Sequence, residues 1–160
     1  MPDLGQLLAR IEQDAGCTME KAVGTPTLSV GLSLPEDLRA FYTRTGGMTL
    51  FLSAPYGVEI VAPSQFVRAN PIIVGEECAE DISHDWFIVG RSSEQYITID
   101  LRKEAMGRCY DSFWDRHGVA GSCPVIASSF SALLASLYEA KGQHWFWMAD
   151  DFTPLGDAYD

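Results

Sequence analysis

The sequence is short of basic residues. It carries 11 Lys and Arg against 22 Asp and Glu, a formal net charge of −11. Nucleic-acid-binding proteins gain affinity by neutralising phosphates with Lys and Arg, so we expect no direct contact with nucleic acid or an anionic membrane. The same excess suits a basic protein partner, whose approach it would accelerate. On charge alone, however, solubility is the simpler explanation.

Long apolar runs are also missing. No stretch approaches the roughly 18 consecutive apolar residues of a membrane span. Asp3, Glu12 and Asp14 interrupt the region where an export signal would be apolar. We therefore expect a cytoplasmic protein with no membrane contact, whose cysteines stay reduced and lack CxxC spacing. The four cysteines are Cys17, Cys78, Cys109 and Cys123.

Motifs of known catalytic sites are absent: GxSxG, GxxxxGK[ST], GxGxxG after a strand, and HExxH. The three histidines, His84, His117 and His144, are scattered. His117 lies near Asp115, where a catalytic or metal pair is one interpretation and an ordinary surface ion pair the more common one. Cys123 has no visible base, so a buried structural role is expected. We expect no enzyme activity, no catalytic residues, no metal and no cofactor.

The length and ordinary hydrophobic content fit one domain over residues 1–160, with an aromatic and acidic tail at 143–160. Leu4 to Ile11 have the apolar spacing of a helix, with Asp3 as its cap. The last helix is predicted to begin at Ser128 or Ser129. It carries an apolar stripe of Phe130, Leu133, Leu134, Leu137 and Tyr138.

A further helix is predicted at Ser33 to Tyr42. Ser33 and Glu36 have capping-box spacing, and Pro35 falls in the first turn. Gly46-Gly47 is predicted to end this helix, because glycine readily adopts the left-handed conformation of a C-cap. A short helix at 64–69 is predicted to carry Phe66 and Val67 inward.

The middle of the chain predicts strands. Residues 95–101 alternate, with Ile97, Ile99 and Leu101 on one face. Trp86 lies within an apolar run and is expected in the core. The predicted strands are 48–52, 58–61, 86–90, 95–101 and 108–113. This order predicts an α+β domain with a twisted antiparallel sheet and helices packed on one face.

Three stretches follow one another over nearly the whole chain. They are Leu34–Tyr42 with Gly46-Gly47; Phe87–Gly90, Ile97–Leu101 and Gly107–Tyr110; and Val125–Leu134. In order and spacing they resemble the SUKH superfamily. The resemblance implies the same α+β fold, no cofactor and no catalytic residues. It also implies a protein-binding role, because bacterial members are chiefly immunity proteins that block toxins, often nucleases, whereas fungal members regulate cell-wall synthesis through protein contacts.

Two segments depart from the family pattern: an acidic insertion at 75–85 and the tail. The tail is open to two interpretations: aromatics packed on the sheet with acids facing water, or a lip that binds a metal or a partner. Trp114, in a polar turn, is an interface candidate because Trp is enriched at binding hot spots. The predicted partner-binding residues are Glu76, Glu77, Glu80, Asp81, Asp85, Trp114, Asp115, Asp150 and Asp151.

The sequence therefore predicts a non-enzymatic immunity protein, a monomer or weak homodimer, that neutralises a basic toxin domain such as a nuclease. A regulatory or scaffolding domain with no toxin partner is the alternative. An enzyme with an unrecognised site is the least favoured interpretation.

Overall fold

The computed structural model describes residues 3–160, in which seven antiparallel strands form one sheet. Each strand pairs with its neighbours in chain order, from β1 at one edge to β7 at the other. The strands are β1 (Cys17–Met19), β2 (Met48–Leu50), β3 (Val58–Ile60), β4 (Trp86–Ser92), β5 (Gln95–Asp100), β6 (Cys109–Asp111) and β7 (Val125–Ala127). The α-helices are α1 (Leu4–Glu12), α2 (Glu36–Arg44), α3 (Ala69–Ile73) and α4 (Phe130–Ala140).

The main core lies between one face of the sheet and the helices α1, α2 and α4. The helix α4 contacts α1, α2 and β7, and its whole predicted apolar stripe is buried in this core. Ser129 caps α4 and Asp3 caps α1 through their side chains, as predicted. The α+β prediction, with helices on one face of an antiparallel sheet, is therefore confirmed.

The predicted capping box of α2 is wrong. The helix begins at Glu36, after an extended Pro35 that makes no side-chain cap, so Ser33 lies too far from the first turn to bond it. Asp37 instead joins two helices. Its Oδ2 accepts hydrogen bonds from the backbone N of Ser131 at 2.8 Å and from Ser131 Oγ at 3.0 Å, at the start of α4.

Gly46-Gly47 follows α2 but does not form a left-handed cap, because the residue after the helix, Thr45, is extended. A Cβ on Gly46 would lie 2.2 Å from the carbonyl oxygen of Lys21. Gly47 has a φ of +110°, which favours glycine. The pair therefore lets the chain pass close to the segment after β1 and turn into β2.

The predicted helix at 64–69 is also wrong. Residues 63–65 form a 3-10 turn, and α3 begins only at Ala69. Between them the chain runs alongside β4, where Ile88 N donates to Val67 O and Arg68 bridges Phe87. Phe66 is buried as predicted, whereas Val67 is exposed because this extended backbone points neighbouring side chains in opposite directions.

The second face of the sheet is covered at the start of β4, at the end of β5 and along β6 and β7. A smaller core lies there, made by Trp86, Tyr110, Cys123, Val125 and Ala158. Residues 97–100 of β5 are therefore buried on both faces, so Thr98 and Asp100 lie inside the protein rather than in water. The burial of Trp86 and Cys123 confirms the sequence prediction for both.

None of the helices within residues 3–160 is long and apolar enough to cross a membrane.

Replacing Leu134 by Asp tests the placement of α4. Leu134 is fully buried between the helices and the sheet. An unpaired carboxylate there should remove several kcal/mol, at least about 3, from the free energy of unfolding. We expect Leu134→Asp to be unfolded or aggregated by circular dichroism and size exclusion. Ser136→Asp, on the half-buried side of the same helix, is the control, and equal melting temperatures for the two variants would contradict this placement.

A candidate partner-binding surface

A buried carboxylate organises the second face of the sheet. Asp100 is 0% exposed and accepts hydrogen bonds from Trp86 Nε1 at 3.1 Å, Tyr110 Oη at 2.5 Å and Arg102 Nη2 at 2.8 Å. These donors offset the cost of removing the charge from water. The hydrogen bonds that Arg102 donates to Asp100 raise the pKa of Arg102. Burial, and then the bond to Asp100, raise the pKa of Tyr110. The Arg102 guanidinium and the Tyr110 hydroxyl therefore keep their protons near neutral pH.

His117 is not a surface residue paired with Asp115, so that prediction is wrong. It is 5% exposed, packs edge-on against Trp86 and places Nε2 2.6 Å from Asn70 Oδ1. Asn70 Nδ2 donates to Ser83, which leaves Oδ1 to accept, so the proton of a neutral His117 resides on Nε2. Burial lowers the pKa of His117 to about 4. The imidazole is therefore a neutral packing group.

Three segments cover this face and are bonded to one another. We call them the insert (75–85), the β6–β7 loop (113–122) and the tail (143–160). Tyr159 Oη in the tail donates to Asp81 Oδ2 in the insert at 2.7 Å. Asp157 in the tail accepts from the backbone N of Gly121 at 3.0 Å and of Cys123 at 2.9 Å. The insert and the loop, which are distant in sequence, are thereby fixed to the tail.

The acids of the insert serve two different purposes. Asp85 pairs with Arg68 at 2.5 Å. Burial acts to raise the pKa of Asp81, but hydrogen bonds from Ser83 and Tyr159 lower it overall. This carboxylate is therefore also engaged within the fold. Glu76, Glu77 and Glu80 are exposed, and their side chains make no hydrogen bond or ion pair with the described residues. Of the five acids predicted to bind a partner, these three glutamates have side chains free of internal contacts, and partner binding by all five stays a prediction.

Trp114 and Asp115 are exposed on the β6–β7 loop. The Trp114 side chain is 76% exposed, and its backbone N donates to Gln95 Oε1 at 3.1 Å. The Trp114 indole therefore lies outside the core, as the sequence predicted for this residue. Its role in binding stays a prediction.

A groove of about 630 Å³ separates this loop from the tail. Asp115 and Arg116 line it from the loop, and Met148 and Asp157 line it from the tail. Exposed apolar side chains lie on both segments, with Val119 in the loop and Leu155 in the tail. The groove itself combines the carboxylates of Asp115 and Asp157 with the exposed apolar side chain of Met148.

The aromatic residues of the tail pack onto the domain. Trp147 is buried, and its Nε1 donates to Asp111 Oδ2 at 2.8 Å. Trp145 stacks on Trp147 with ring centroids 5.3 Å apart. Asp150 and Asp151 are exposed, and Asp151 lies with Glu139 and His144 around a separate cleft. The tail therefore follows the packing interpretation, and no direct contact joins its two neighbouring acids to the insert.

The residues that sequence reasoning missed are the internal acceptors. Asp100, Asp111 and Asp157 were not singled out, yet they fix the loop and the tail. Asp100 and Asp111 end two adjacent buried strands, which is the one sequence signal that could have marked them. Residues 3–160 contain no cluster of three or more His, Cys, Asp or Glu side chains suited to a metal ion.

The sheet, its helical layer and the sequence agree on one class of protein. Residues 27–136 match the SMI1 / KNR4 family (SUKH-1), so this chain belongs to that family. The chain is also similar to "Immunity protein YokJ" of Bacillus subtilis (strain 168), with 47% identity over 158 residues. That match covers 98% of this chain and 96% of YokJ, and so it extends through the insert and most of the tail.

Protonation of His117 should weaken the fold in mild acid. The pKa of His117 in the folded protein, about 4, lies below the ordinary histidine pKa of 6.5. The unfolded chain therefore binds a proton between these values that the folded chain does not, and the free energy of unfolding falls as pH drops through this window, by up to about 3 kcal/mol. Urea unfolding from pH 7 to pH 4.5 measures the loss.

His117→Gln is the matched variant, since its amide retains a donor for Asn70 without a titrating ring. We expect its stability to fall less than that of the parent over the same window. The pKa values of Asp14 and Asp81 are lowered from the ordinary value of 3.8. Those carboxylates therefore titrate below this pH window. Parallel pH profiles for parent and variant would show that His117 titrates in the folded state as it does in the unfolded chain.

Proposed function

We propose that this protein is an immunity protein that binds a cognate protein toxin and neutralises it. The near full-length similarity to an immunity protein supports this most strongly. Because that similarity includes the insert and most of the tail, it extends beyond the part of the chain that defines the family. The segments that cover the second face of the sheet are therefore common to both proteins.

The proposed activity is binding rather than catalysis. Burial raises the pKa of Cys123 to about 12 and that of Cys17 to about 11, so neither thiol supplies a thiolate nucleophile near neutral pH. His117 is buried, and Asn70 already accepts its Nε2 proton. These properties make the two thiols and the imidazole poor catalytic groups, which favours binding over catalysis.

The partner is proposed to be basic. The net charge of −11 favours fast encounter with a positively charged surface. Nucleases are often basic where they hold phosphates, so an acidic protein could occupy that surface by resembling the charge of the substrate. The exposed glutamates of the insert and Asp115 beside the loop–tail groove supply such carboxylates.

The direct test uses the product of the gene next to that of this protein, which the proposal expects to carry the toxin domain. We expect co-expression to restore the growth of bacteria that produce the toxin, and the two purified proteins to form a complex. A toxin domain from an unrelated locus is the control for specificity. If the folded protein neither binds the adjacent product nor restores growth, the immunity function is wrong and a regulatory role becomes the better interpretation.

Charge reversal of the insert tests the proposed steering. We expect Glu76→Lys, Glu77→Lys and Glu80→Lys together to slow association with the toxin about tenfold or more at low salt, and parental association to slow as salt screens the field. Asp81 and Asp85 are left intact because they bond the fold. Stopped-flow fluorescence measures the rates.

The control reverses Glu12, Glu20 and Glu36, which are exposed on other elements and change the net charge equally. This control should slow association far less, because steering depends on where the charge lies relative to the interface. If both triple variants associate equally slowly, only the net charge matters and the insert has no special role.

A further inference from the structure

We propose that a second groove, between α3 and the β4–β5 hairpin, is the anchor point of the toxin interface. It would receive an apolar side chain of the toxin that is flanked by basic residues. This inference rests on the proposed function, since the occupant is the same toxin domain. The inference identifies the site on this protein that holds the complex together, which neither the net charge nor family membership specifies.

The groove lies beside β4 and β5, and neither the β6–β7 loop nor the tail contributes to its lining. Its volume is about 340 Å³. Val61 and Ile88 line it and are almost wholly buried, while Val67 and Ile72 line it from the side of α3. Tyr96 lines it from β5. The lining is thus largely aliphatic and aromatic.

The apolar residues at this groove are unusually accessible. Ile72 is 54% exposed and Val67 is 39% exposed, and Val74, just beyond α3, is 50% exposed. Val67 and Ile72 line the same groove and so form an apolar patch that folding has left accessible to water. Such patches in soluble proteins mark interaction sites. Because two of the three line a concave surface, a partner side chain could be desolvated there.

Charge decides which partner fits. The segment that follows Val74 is the acidic insert, whose Glu76, Glu77 and Glu80 are exposed and unpaired among the described residues. The cation that lines the groove, Arg91, is already paired with Glu59 at 2.6 Å. Along the chain, the apolar residues are therefore followed by free carboxylates, and the groove lining holds no unpaired positive charge. An apolar residue between Lys or Arg residues complements both features.

The two parts should act on different rate constants. The glutamates attract the partner over a distance and therefore set the association rate, whereas the apolar groove acts only on contact and sets the dissociation rate. We expect Val67→Ser with Ile72→Ser to raise the dissociation rate of the toxin complex about tenfold or more, with little change in the association rate. Surface plasmon resonance against the adjacent-gene toxin domain measures both.

Val23→Ser with Val30→Ser is the matched control. These valines are exposed on the segment between β1 and α2 and do not line the groove. Melting temperatures establish that both double variants are folded. If the double variant of the groove does not fold, Val67→Thr keeps the side-chain shape and replaces one methyl by a hydroxyl, and an increased dissociation rate is expected there too.

The outcomes separate the inference from the proposed function. Parental binding with faster dissociation of the groove variants alone supports both. Parental binding with dissociation rates within about twofold for folded groove and control variants overturns the anchor and leaves the immunity function standing. Failure of the parent to bind the toxin overturns the function and the anchor together.

Discussion

The hydrogen bond from Trp86 to the buried carboxylate of Asp100 is the contact on which the second face of the sheet depends. The same carboxylate holds Tyr110 and Arg102, and the Trp86 ring lies against His117 and Tyr159. A hydrogen bond to a charged group contributes about 1.5–3 kcal/mol to the free energy of unfolding, and a buried carboxylate left without donors would cost more than that. The loop and the tail are therefore held in place by the sheet itself.

This arrangement divides the acidic residues into two groups. Asp81, Asp100, Asp111 and Asp157 accept hydrogen bonds within the fold and fix the insert, the β6–β7 loop and the tail. The exposed glutamates of the insert have no such partners among the described residues. A rigid frame with free carboxylates at its surface loses little conformational entropy on binding, which favours affinity for a partner of opposite charge.

Sequence patterns predicted the elements whose periodicity is strong. The apolar stripe of α4 and the alternation of β5 are long enough to define a face, and both were placed correctly. The strands β1 and β7 have three residues each and give no period. Spacing alone also misplaced the cap of α2, because Pro35 ends the extended segment and Asp37 bonds a helix 94 residues away.

The candidate surface was predicted only in part, for a related reason. Charge and exposure are visible in a sequence, so Glu76, Glu77, Glu80 and Trp114 were identified and are exposed. Contacts in space are not visible in a sequence, so the internal contacts of Asp81 and Asp85 were missed, and His117 was wrongly placed at the surface. The groove beside α3 was missed because its lining comes from segments between residues 61 and 96 that only the folded sheet brings together.

The most direct measurement is amide hydrogen exchange of the protein, free and bound to its proposed toxin partner. Amides in segments with little secondary structure exchange readily until a partner covers them. If the insert and the groove beside α3 form the interface, exchange should slow at residues 66–81 and should be unchanged in α1 and α2. Slowing confined to α1 and α2, with residues 66–81 unaffected, would place the toxin on the helical face and contradict the account.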